Sequence, residues 1–271
     1  MAELRTGPGP ELPAEATRLP EPEVFACHGV GYRYLDRFTA LDGIDVEVAR
    51  AERVVLLGAN GCGKSTLLKV LDALIFPTSG TVHAFGRELT EDTAEDPAFV
   101  EGFRSRVGFV FQNSDAQLFS PTVTEEIAFG CLQLGLDREE TRTRVADVLD
   151  LLGIADLADR APFQLSGGQK KRVAIASVLA MNPEVLLFDE PTAGLDPRTR
   201  HGVVELLGEL GATGRTLLLA THDLDAAALL ADRALVLGED HTLVRDAAVA
   251  DVLADRDLLV RVNLVHPRDP R

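Results

Sequence analysis

The chain has 271 residues, 46% of them apolar and 26% charged, which suits a compact soluble protein with a sizeable core. Its formal net charge of −16 argues against a nucleic-acid partner, because proteins that bind phosphate backbones usually present a basic face. No apolar run approaches the roughly 18–20 residues that span a bilayer, and the N-terminus has no signal-peptide core, so we expect a cytoplasmic chain.

The chain begins with a proline-rich stretch and continues with alternating apolar and polar residues. Residues 1–22 contain five of the fourteen prolines, and we expect an extension without fixed structure. From Val24 to Val48 the alternation falls into two short runs, which predicts antiparallel strands joined by a loop through Asp36–Phe38. The sequence therefore predicts a small β-lobe.

Further along the chain, short apolar runs alternate with helical spacing. The run Arg53–Leu57 predicts a buried strand, and Ser65–Leu74 predicts a helix directly after it. Three later runs are also predicted as buried strands: Val185–Phe188, Thr216–Ala220 and Ala234–Leu237. Strands separated by helices form a mostly parallel sheet. Between residues 122 and 181 helical spacing dominates and no strand pattern appears, which predicts a helical subdomain inserted into the sheet domain.

The loop after the first buried strand carries the most specific local motif. Gly58–Thr66 matches G-x-x-x-x-G-K-[ST] between a predicted strand and a predicted helix. Glycines let backbone N–H groups turn toward phosphate oxygens, and the positive end of the helix adds to the attraction. We expect Lys64 to reach the β- and γ-phosphates, Ser65 to hold Mg²⁺ and Thr66 to donate near the α-phosphate. The residues expected to contact ATP in this loop are Gly58, Asn60, Gly61, Cys62, Gly63, Lys64, Ser65 and Thr66.

Two carboxylates stand at the end of another buried strand. Asp189 and Glu190 follow Val185–Phe188 and precede a Pro-Thr pair. The carboxyl ends of parallel strands form the edge at which such sheets bind ligands. We therefore expect Asp189 to hold Mg²⁺ through its water shell and Glu190 to polarise the water that attacks the γ-phosphate.

The segment Leu165–Gln169, which reads LSGGQ, lies between these two motifs. With it, residues 23–260 resemble the nucleotide-binding subunit of an ATP-binding cassette (ABC) transporter. The resemblance implies an α/β fold, a P-loop NTPase of the ABC ATPase type. This fold has a mostly parallel sheet core, an antiparallel β-lobe and an inserted helical subdomain, and residues 261–271 would form a C-terminal tail. It also implies that ATP of an opposite subunit contacts Ser166, Gly167, Gly168 and Gln169.

The same resemblance assigns roles to single residues outside these motifs. Gln112 corresponds to the glutamine that senses Mg²⁺ and the attacking water, and His222 to the histidine that contacts the γ-phosphate. Asp196 lies in the loop that passes between subunits. Tyr34 fits the aromatic residue that stacks on adenine, with Tyr32 as the competing candidate and packing within the β-lobe as the structural alternative.

A more specific resemblance concerns Phe111–Phe119 and Val123–Gly130, which are similar to ATPases of energy-coupling-factor transporters of the cobalt and nickel type. Such transporters import trace metals or vitamins. The resemblance implies a second ATPase subunit, identical or similar, an integral membrane coupling subunit, a substrate-binding membrane subunit and a peripheral location at the cytoplasmic face of the membrane. Apolar residues such as Leu118 and Phe119 would either receive a coupling helix or belong to the core.

Other functions share these motifs and stay open at this point. A conventional ABC importer or exporter ATPase would have every catalytic motif and differ only in its partner. A soluble cassette ATPase that acts on DNA or ribosomes is less compatible with the acidic charge of the chain. A regulatory subunit without turnover is less compatible with the intact catalytic residues Lys64, Gln112, Glu190 and His222.

Overall fold

The computed structural model describes residues 23–268. The predicted extension over residues 1–22, and residues 269–271 of the predicted tail, lie outside the described residues. Strands and helices alternate along the described chain. The strands are β1 (Glu23–Tyr34), β2 (Phe38–Ala49), β3 (Arg53–Leu57), β4 (Ser79–Ala84), β5 (Arg87–Glu88), β6 (Val107–Val110), β7 (Val185–Asp189), β8 (Thr216–Ala220), β9 (Arg233–Leu237) and β10 (Leu243–Ala248).

The α-helices lie between these strands and after the last of them. They are α1 (Lys64–Leu71), α2 (Glu91–Glu95), α3 (Pro97–Arg106), α4 (Val123–Gln133), α5 (Arg138–Leu151), α6 (Gly167–Leu179), α7 (Pro197–Ala212), α8 (Leu224–Leu230), α9 (Val249–Ala254) and α10 (Arg256–Arg261). Within residues 23–268, no helix is both long and apolar enough to span a bilayer.

Two sheets form the framework. The larger has the order β10-β9-β3-β8-β7-β6 and is parallel from β9 to β6, with β10 antiparallel at one edge. The smaller has the order β2-β1-β4-β5 and its paired strands are antiparallel. The predicted parallel sheet and antiparallel lobe are therefore confirmed. The central strands are buried on both faces, which explains why they are continuous apolar runs rather than alternating ones.

The large sheet separates two apolar cores, and successive residues of β3 point to opposite sides. Val54 and Leu56 pack with the β-lobe, α1 and α3, whereas Val55 and Leu57 pack with α4 to α8. Because β3 lies in the middle of the sheet, the loop that follows it emerges between the two halves of the molecule. The fold thus places the glycine-rich loop at the centre of the sheet edge.

The first helix is shorter than the sequence predicts, and the segment before α4 is fixed by a buried side chain. The prediction that the first helix runs to Leu74 is wrong: α1 ends at Leu71, and Ala73 has a φ of 51°, which a right-handed helix does not allow. In α4 the buried Glu126 carboxylate accepts hydrogen bonds from the backbone N–H of Phe119 (2.8 Å) and Ser120 (2.7 Å). The segment before α4 is therefore held by a side chain of the helix itself.

Candidate functional site

The loop between β3 and α1 has a backbone that only glycine tolerates at two of its positions. Gly58 has a φ of 149° and Gly63 a φ of 113°, in the region that disfavours other residues. A Cβ atom on Gly63 would lie 2.2 Å from the carbonyl oxygen of Ala40, and one on Gly58 would lie 2.6 Å from that of Leu237. The motif glycines are therefore required by the close packing of the loop against neighbouring strands.

Lys64 crosses the loop from the first position of α1. Its Nζ donates hydrogen bonds to the carbonyl oxygens of Gly58 (2.8 Å) and Ala59 (3.1 Å), and the residue is 6% exposed. Gly63 caps the helix without a side-chain hydrogen bond, so the first N–H groups of α1 are available to an anion. The loop thus combines an ammonium group with a helix N-terminus, which together favour phosphate.

Ser65 and Asp189 connect this loop to the end of β7. The Ser65 hydroxyl donates to Oδ1 of Asp189 at 2.8 Å, and Asp189 is buried at the end of its strand. The pKa of Asp189 is raised, chiefly by burial and also by the neighbouring Glu190 carboxylate. The hydrogen bond from Ser65 opposes this shift. A hydroxyl and a carboxylate side by side are the hard oxygen donors that Mg²⁺ prefers, so these residues fit the expected ion. In residues 23–268, no group of three His, Cys, Asp or Glu side chains is placed to hold a metal ion.

Glu190 lies between the ends of β7 and β8. Its φ is 45°, an uncommon value for a residue other than glycine, and its N–H donates to the carbonyl oxygen of Ala220 at 2.8 Å. Its carboxylate accepts a hydrogen bond from Oγ1 of Thr221 (3.2 Å) and lies 2.9 Å from Nδ1 of His222. The structure therefore brings Glu190 and His222 together, beside the Asp189 and Ser65 pair.

Gln112 is an exposed residue on the segment that follows β6, next to α6. We call residues 111–117 the Gln112 segment. Lys171 of α6 donates from Nζ to the carbonyl oxygens of Phe111 (3.0 Å) and Gln112 (2.9 Å). Burial lowers the pKa of Lys171 to about 8, and the Asp189 carboxylate opposes this effect. No sequence pattern indicates this contact, since a lysine within a charged triplet usually points to solvent.

The LSGGQ segment begins α6 with a reciprocal cap. Oγ of Ser166 accepts from the N–H of Gln169 (3.4 Å), and Oε1 of Gln169 accepts from the N–H of Ser166 (2.9 Å). Gly167 faces open space, while a Cβ on Gly168 would lie 2.7 Å from Cγ2 of Thr199. Among the described residues, no hydrogen bond or ion pair joins this segment to the loop at Gly58–Thr66. The structure does not bring these two motifs together within one chain.

Asp196 and Tyr34 lie at the borders of the site. Asp196 caps α7 by accepting from the N–H groups of Arg198 and Thr199, both at 3.1 Å, and the hydrogen bonds from Thr199 lower its pKa. The Tyr34 hydroxyl lies 3.3 Å from Oγ1 of Thr66, and Tyr34 is 39% exposed. Tyr32 packs against the β-lobe core, whereas Tyr34 contacts Thr66 of the Gly58–Thr66 motif, which we call the phosphate loop.

An apolar surface lies beside the Gln112 segment, and we call Phe119 and Phe129 the aromatic pair. Their rings meet edge to face with centroids 5.0 Å apart. Phe119 is 67% and Phe129 44% exposed, whereas Leu118 packs against the core. The structure therefore separates two neighbouring apolar residues, because Leu118 is partly buried against the core and Phe119 is exposed.

Comparison with known proteins places this geometry in a family. The model of the ABC transporter family matches residues 41–193. A protein of Methanosarcina acetivorans with only the general name of an ABC transporter ATP-binding protein is 51% identical, over 90% of this chain and 89% of its own length. The nickel import ATP-binding protein NikO of Rhodobacter capsulatus is 49% identical, over 89% of this chain and 95% of its own. The energy-coupling factor transporter ATP-binding protein EcfA of Methanothermobacter thermautotrophicus is 43% identical, over 88% of this chain and 75% of its own.

Solved structures agree with these relatives. CbiO1 of Clostridium perfringens, described as part of the ABC transporter complex CbiONQ, superposes with a TM-score of 0.76 at 37% identity. The match covers 92% of this chain and 97% of that one. A dimeric ATP-binding cassette in a post-hydrolysis state with ADP and Pi superposes with a TM-score of 0.74 at 29% identity, over 83% of this chain and 98% of that one.

Proposed function

Because this chain belongs to the ABC transporter family, as an ATP-binding subunit that couples ATP hydrolysis to transport, we propose that it powers an energy-coupling-factor importer. The proposed solute is a trace metal ion of the cobalt or nickel type, or a vitamin. The observation that carries this proposal is the 49% identity to a nickel import ATP-binding protein over nearly the full length of both chains. The similarity to an EcfA protein and to CbiO1 points in the same direction.

The proposed chemistry needs no covalent intermediate, because phosphoryl transfer to water depends on positioning and charge. Glu190 is the proposed general base. Its carboxylate is buried, yet it is hydrogen-bonded to Thr221 and lies against His222, so it is held in one direction. It would take the proton of the attacking water, while His222 contacts the γ-phosphate from the next strand. A general base of this kind contributes on the order of 10²–10⁴ in rate.

The phosphate end of ATP would be held by the glycine-rich loop and the end of β7. Lys64 supplies a positive charge, and the N–H groups at the start of α1 supply donors. Ser65, Asp189 and Gln112 are the residues that would hold Mg²⁺, which when bound neutralises charge on the phosphates. Tyr34 would stack on adenine beside Thr66.

The active assembly that we propose contains two ATPase subunits, two copies of this chain or this chain and a similar one. The observation in favour is that Ser166–Gln169 makes no hydrogen bond to the phosphate loop of its own chain within residues 23–268. Gly167 faces open space at the N-terminus of α6, a position suited to an anion from outside the chain. Asp196 would lie in the loop between the subunits. A dimeric structural relative with ADP and Pi supports this arrangement.

The membrane partner would be an integral coupling subunit, joined by a substrate-binding membrane subunit, with this chain peripheral at the cytoplasmic face. The aromatic pair supports this part of the proposal. Two exposed phenylalanine rings beside the Gln112 segment form the apolar anchor that an amphipathic helix from a partner requires. Motion of the helical region during the ATP cycle would therefore reach the partner through this surface.

Co-purification tests the proposal directly. The chain is co-expressed with the membrane proteins encoded beside its gene, purified through a tag on this chain, and its partners are identified by mass spectrometry. Recovery of a small transmembrane component with a metal- or vitamin-binding membrane protein is the expected result. Recovery of a conventional permease would contradict the energy-coupling-factor assignment, and recovery of no membrane protein would contradict the membrane partner altogether.

A further inference from the structure

Lys171 joins two parts of the site that lie on different elements. It belongs to α6, directly after the LSGGQ segment, and it is 3% exposed. Its Nζ donates to the carbonyl oxygens of Phe111 (3.0 Å) and Gln112 (2.9 Å), which lie 60 and 59 residues earlier in the chain. Among the described residues, the hydrogen-bond acceptors of this ammonium group therefore lie on the Gln112 segment and not on its own helix.

A buried ammonium group is unfavourable unless it is paired, and lysine is rarely buried to this extent. The two carbonyl oxygens provide part of the compensation, and the nearby Asp189 carboxylate attracts the same charge. An apolar residue of similar length would avoid the cost of burying a charge at this position. A lysine here is therefore better explained by what it holds than by the stability it adds.

The contacts around Lys171 connect the same two elements. Gln117 accepts from the N–H of Phe111 at 3.0 Å and donates from Nε2 to the carbonyl oxygen of Ala174 at 3.3 Å. Lys170 forms an ion pair with Asp115 at 2.5 Å, nearer the surface. The partly buried contacts that attach the Gln112 segment to α6 are therefore those of Gln117 and Lys171, and Lys171 holds the backbone of Gln112 itself.

We propose that Lys171 is a positioning residue that ties the backbone of Gln112 to the N-terminal part of α6. The Gln112 side chain at one ATP site then moves together with Ser166–Gln169, which would face the ATP of the opposite subunit. This inference rests on the proposed function, because it requires a Gln112 that contacts the phosphate end of ATP and an α6 that contacts a second ATP. Lys171 itself contacts neither nucleotide.

The test compares Lys171→Met, Lys171→Arg and Lys170→Met in the assembled transporter. We expect Lys171→Met to lower kcat about tenfold or more while the Kd for ATP changes less than about threefold, since positioning affects the transition state more than binding. Lys171→Arg keeps a donor fork for the two carbonyls and is expected to restore at least about a third of kcat. Lys170→Met removes the same charge from the adjacent residue, and we expect less than about a threefold change in kcat.

A second measurement separates positioning from a general structural effect. If Lys171 acts through Gln112, then Lys171→Met is expected to change kcat less than about twofold in a Gln112→Ala background. A full tenfold loss in that background would overturn the proposal, as would a kcat loss that parallels a loss of ATP binding or of thermal stability. Normal kcat in Lys171→Met would also overturn it and leave the proposed function intact. Absence of ATP hydrolysis by the unmodified assembly would instead contradict the proposed function.

Discussion

Glu190 Oε1 and His222 Nδ1 lie 2.9 Å apart, although the two residues follow different strands of the large sheet. The backbone joins the same strand ends, because the N–H of Glu190 donates to the carbonyl oxygen of Ala220. The Glu190 side chain is 7% exposed and the His222 side chain 56% exposed. The pair therefore links a buried carboxylate to a ring that water can reach, which suits a base that must pass its proton on.

Glu190→Gln is predicted to separate ATP binding from hydrolysis. The amide keeps the size of the side chain but cannot accept the proton of the attacking water, so we expect turnover to fall by about 10²- to 10⁴-fold. Phosphate release and equilibrium binding of ATP measure the two effects, and binding should stay within about threefold of the unmodified protein. Glu205→Gln, an exposed carboxylate on α7, is the matched control. Turnover near the original rate in Glu190→Gln would refute the assignment of the base.

Gly63→Ala tests whether the phosphate site requires the close packing of the loop backbone at Gly63. The new Cβ would lie 2.2 Å from the Ala40 carbonyl oxygen, so the loop backbone of the folded variant must shift to relieve the clash. We expect ATP binding to be lost and the free energy of unfolding to fall by more than about 2 kcal/mol. Gly214→Ala is the control, because Gly214 has a φ of 80° but no atom near its Cβ position. Its expected cost is about 1 kcal/mol, without loss of ATP binding. Equal costs in the two variants would contradict the packing argument.

Phe119→Ser is predicted to weaken attachment to the membrane partner without impairing ATP binding. The ring is exposed and its partner in the aromatic pair lies on α4, so removing it costs little folding energy but removes an apolar anchor of the interface. Co-purification of the membrane subunits should fall at least about tenfold, which corresponds to about 1.4 kcal/mol. Leu229→Ser, at an equally exposed site on α8, should leave co-purification unchanged. Full retention of the membrane subunits by Phe119→Ser would place the interface elsewhere.

Asp72 is predicted to make stability depend on pH. Burial raises its pKa from 3.8 to about 6, against the opposing effect of the Arg104 guanidinium. The folded state therefore binds a proton more tightly than the unfolded state. The resulting stabilisation is complete below about pH 3.8 and is lost as the pH rises through about 6, a change on the order of 3 kcal/mol.

Asp72→Asn removes this titration while keeping an oxygen that can accept from Arg104. The free energy of unfolding, measured by urea denaturation from pH 4 to pH 7, should fall less steeply in the variant than in the original protein. All other groups titrate in both proteins, so the difference between the two curves isolates Asp72. Parallel curves would show that Asp72 is ionised at the same pH in the folded and unfolded states.

The strands that the sequence predicted have a clear pattern, either the alternation of β1 and β2 or a continuous apolar run. Val185–Phe188 and Thr216–Ala220 are continuous apolar runs, and each became the interior of a strand. β6 was not predicted, because its four residues include Gly108, which has low strand propensity. The glycine is required by the partner helix, since a Cβ would lie 2.4 Å from Cγ1 of Val178. β10 is mostly exposed at the sheet edge and has no apolar pattern to detect.

The candidate site divides in a similar way. Residues within short motifs, such as Lys64 or Glu190, could be predicted because motif and strand context occur together in the sequence. Lys171 could not, because its acceptors are backbone carbonyls of a distant segment, and a carbonyl has no signature in the residue type. Leu118 and Phe119 are adjacent and both apolar, so only the fold distinguishes the residue that packs against the core from the exposed one.

The two hydrogen bonds from Glu126 to the backbone of Phe119 and Ser120 have a consequence for binding. An exposed aromatic residue on a loose loop must be ordered when a partner docks, and that lost conformational entropy weakens the complex. Here a buried carboxylate has already fixed the main chain that carries the ring, so the entropic cost is met when the protein folds. The partner would then bind more tightly than it would to a flexible docking loop, and Glu126 would influence affinity without contacting the partner.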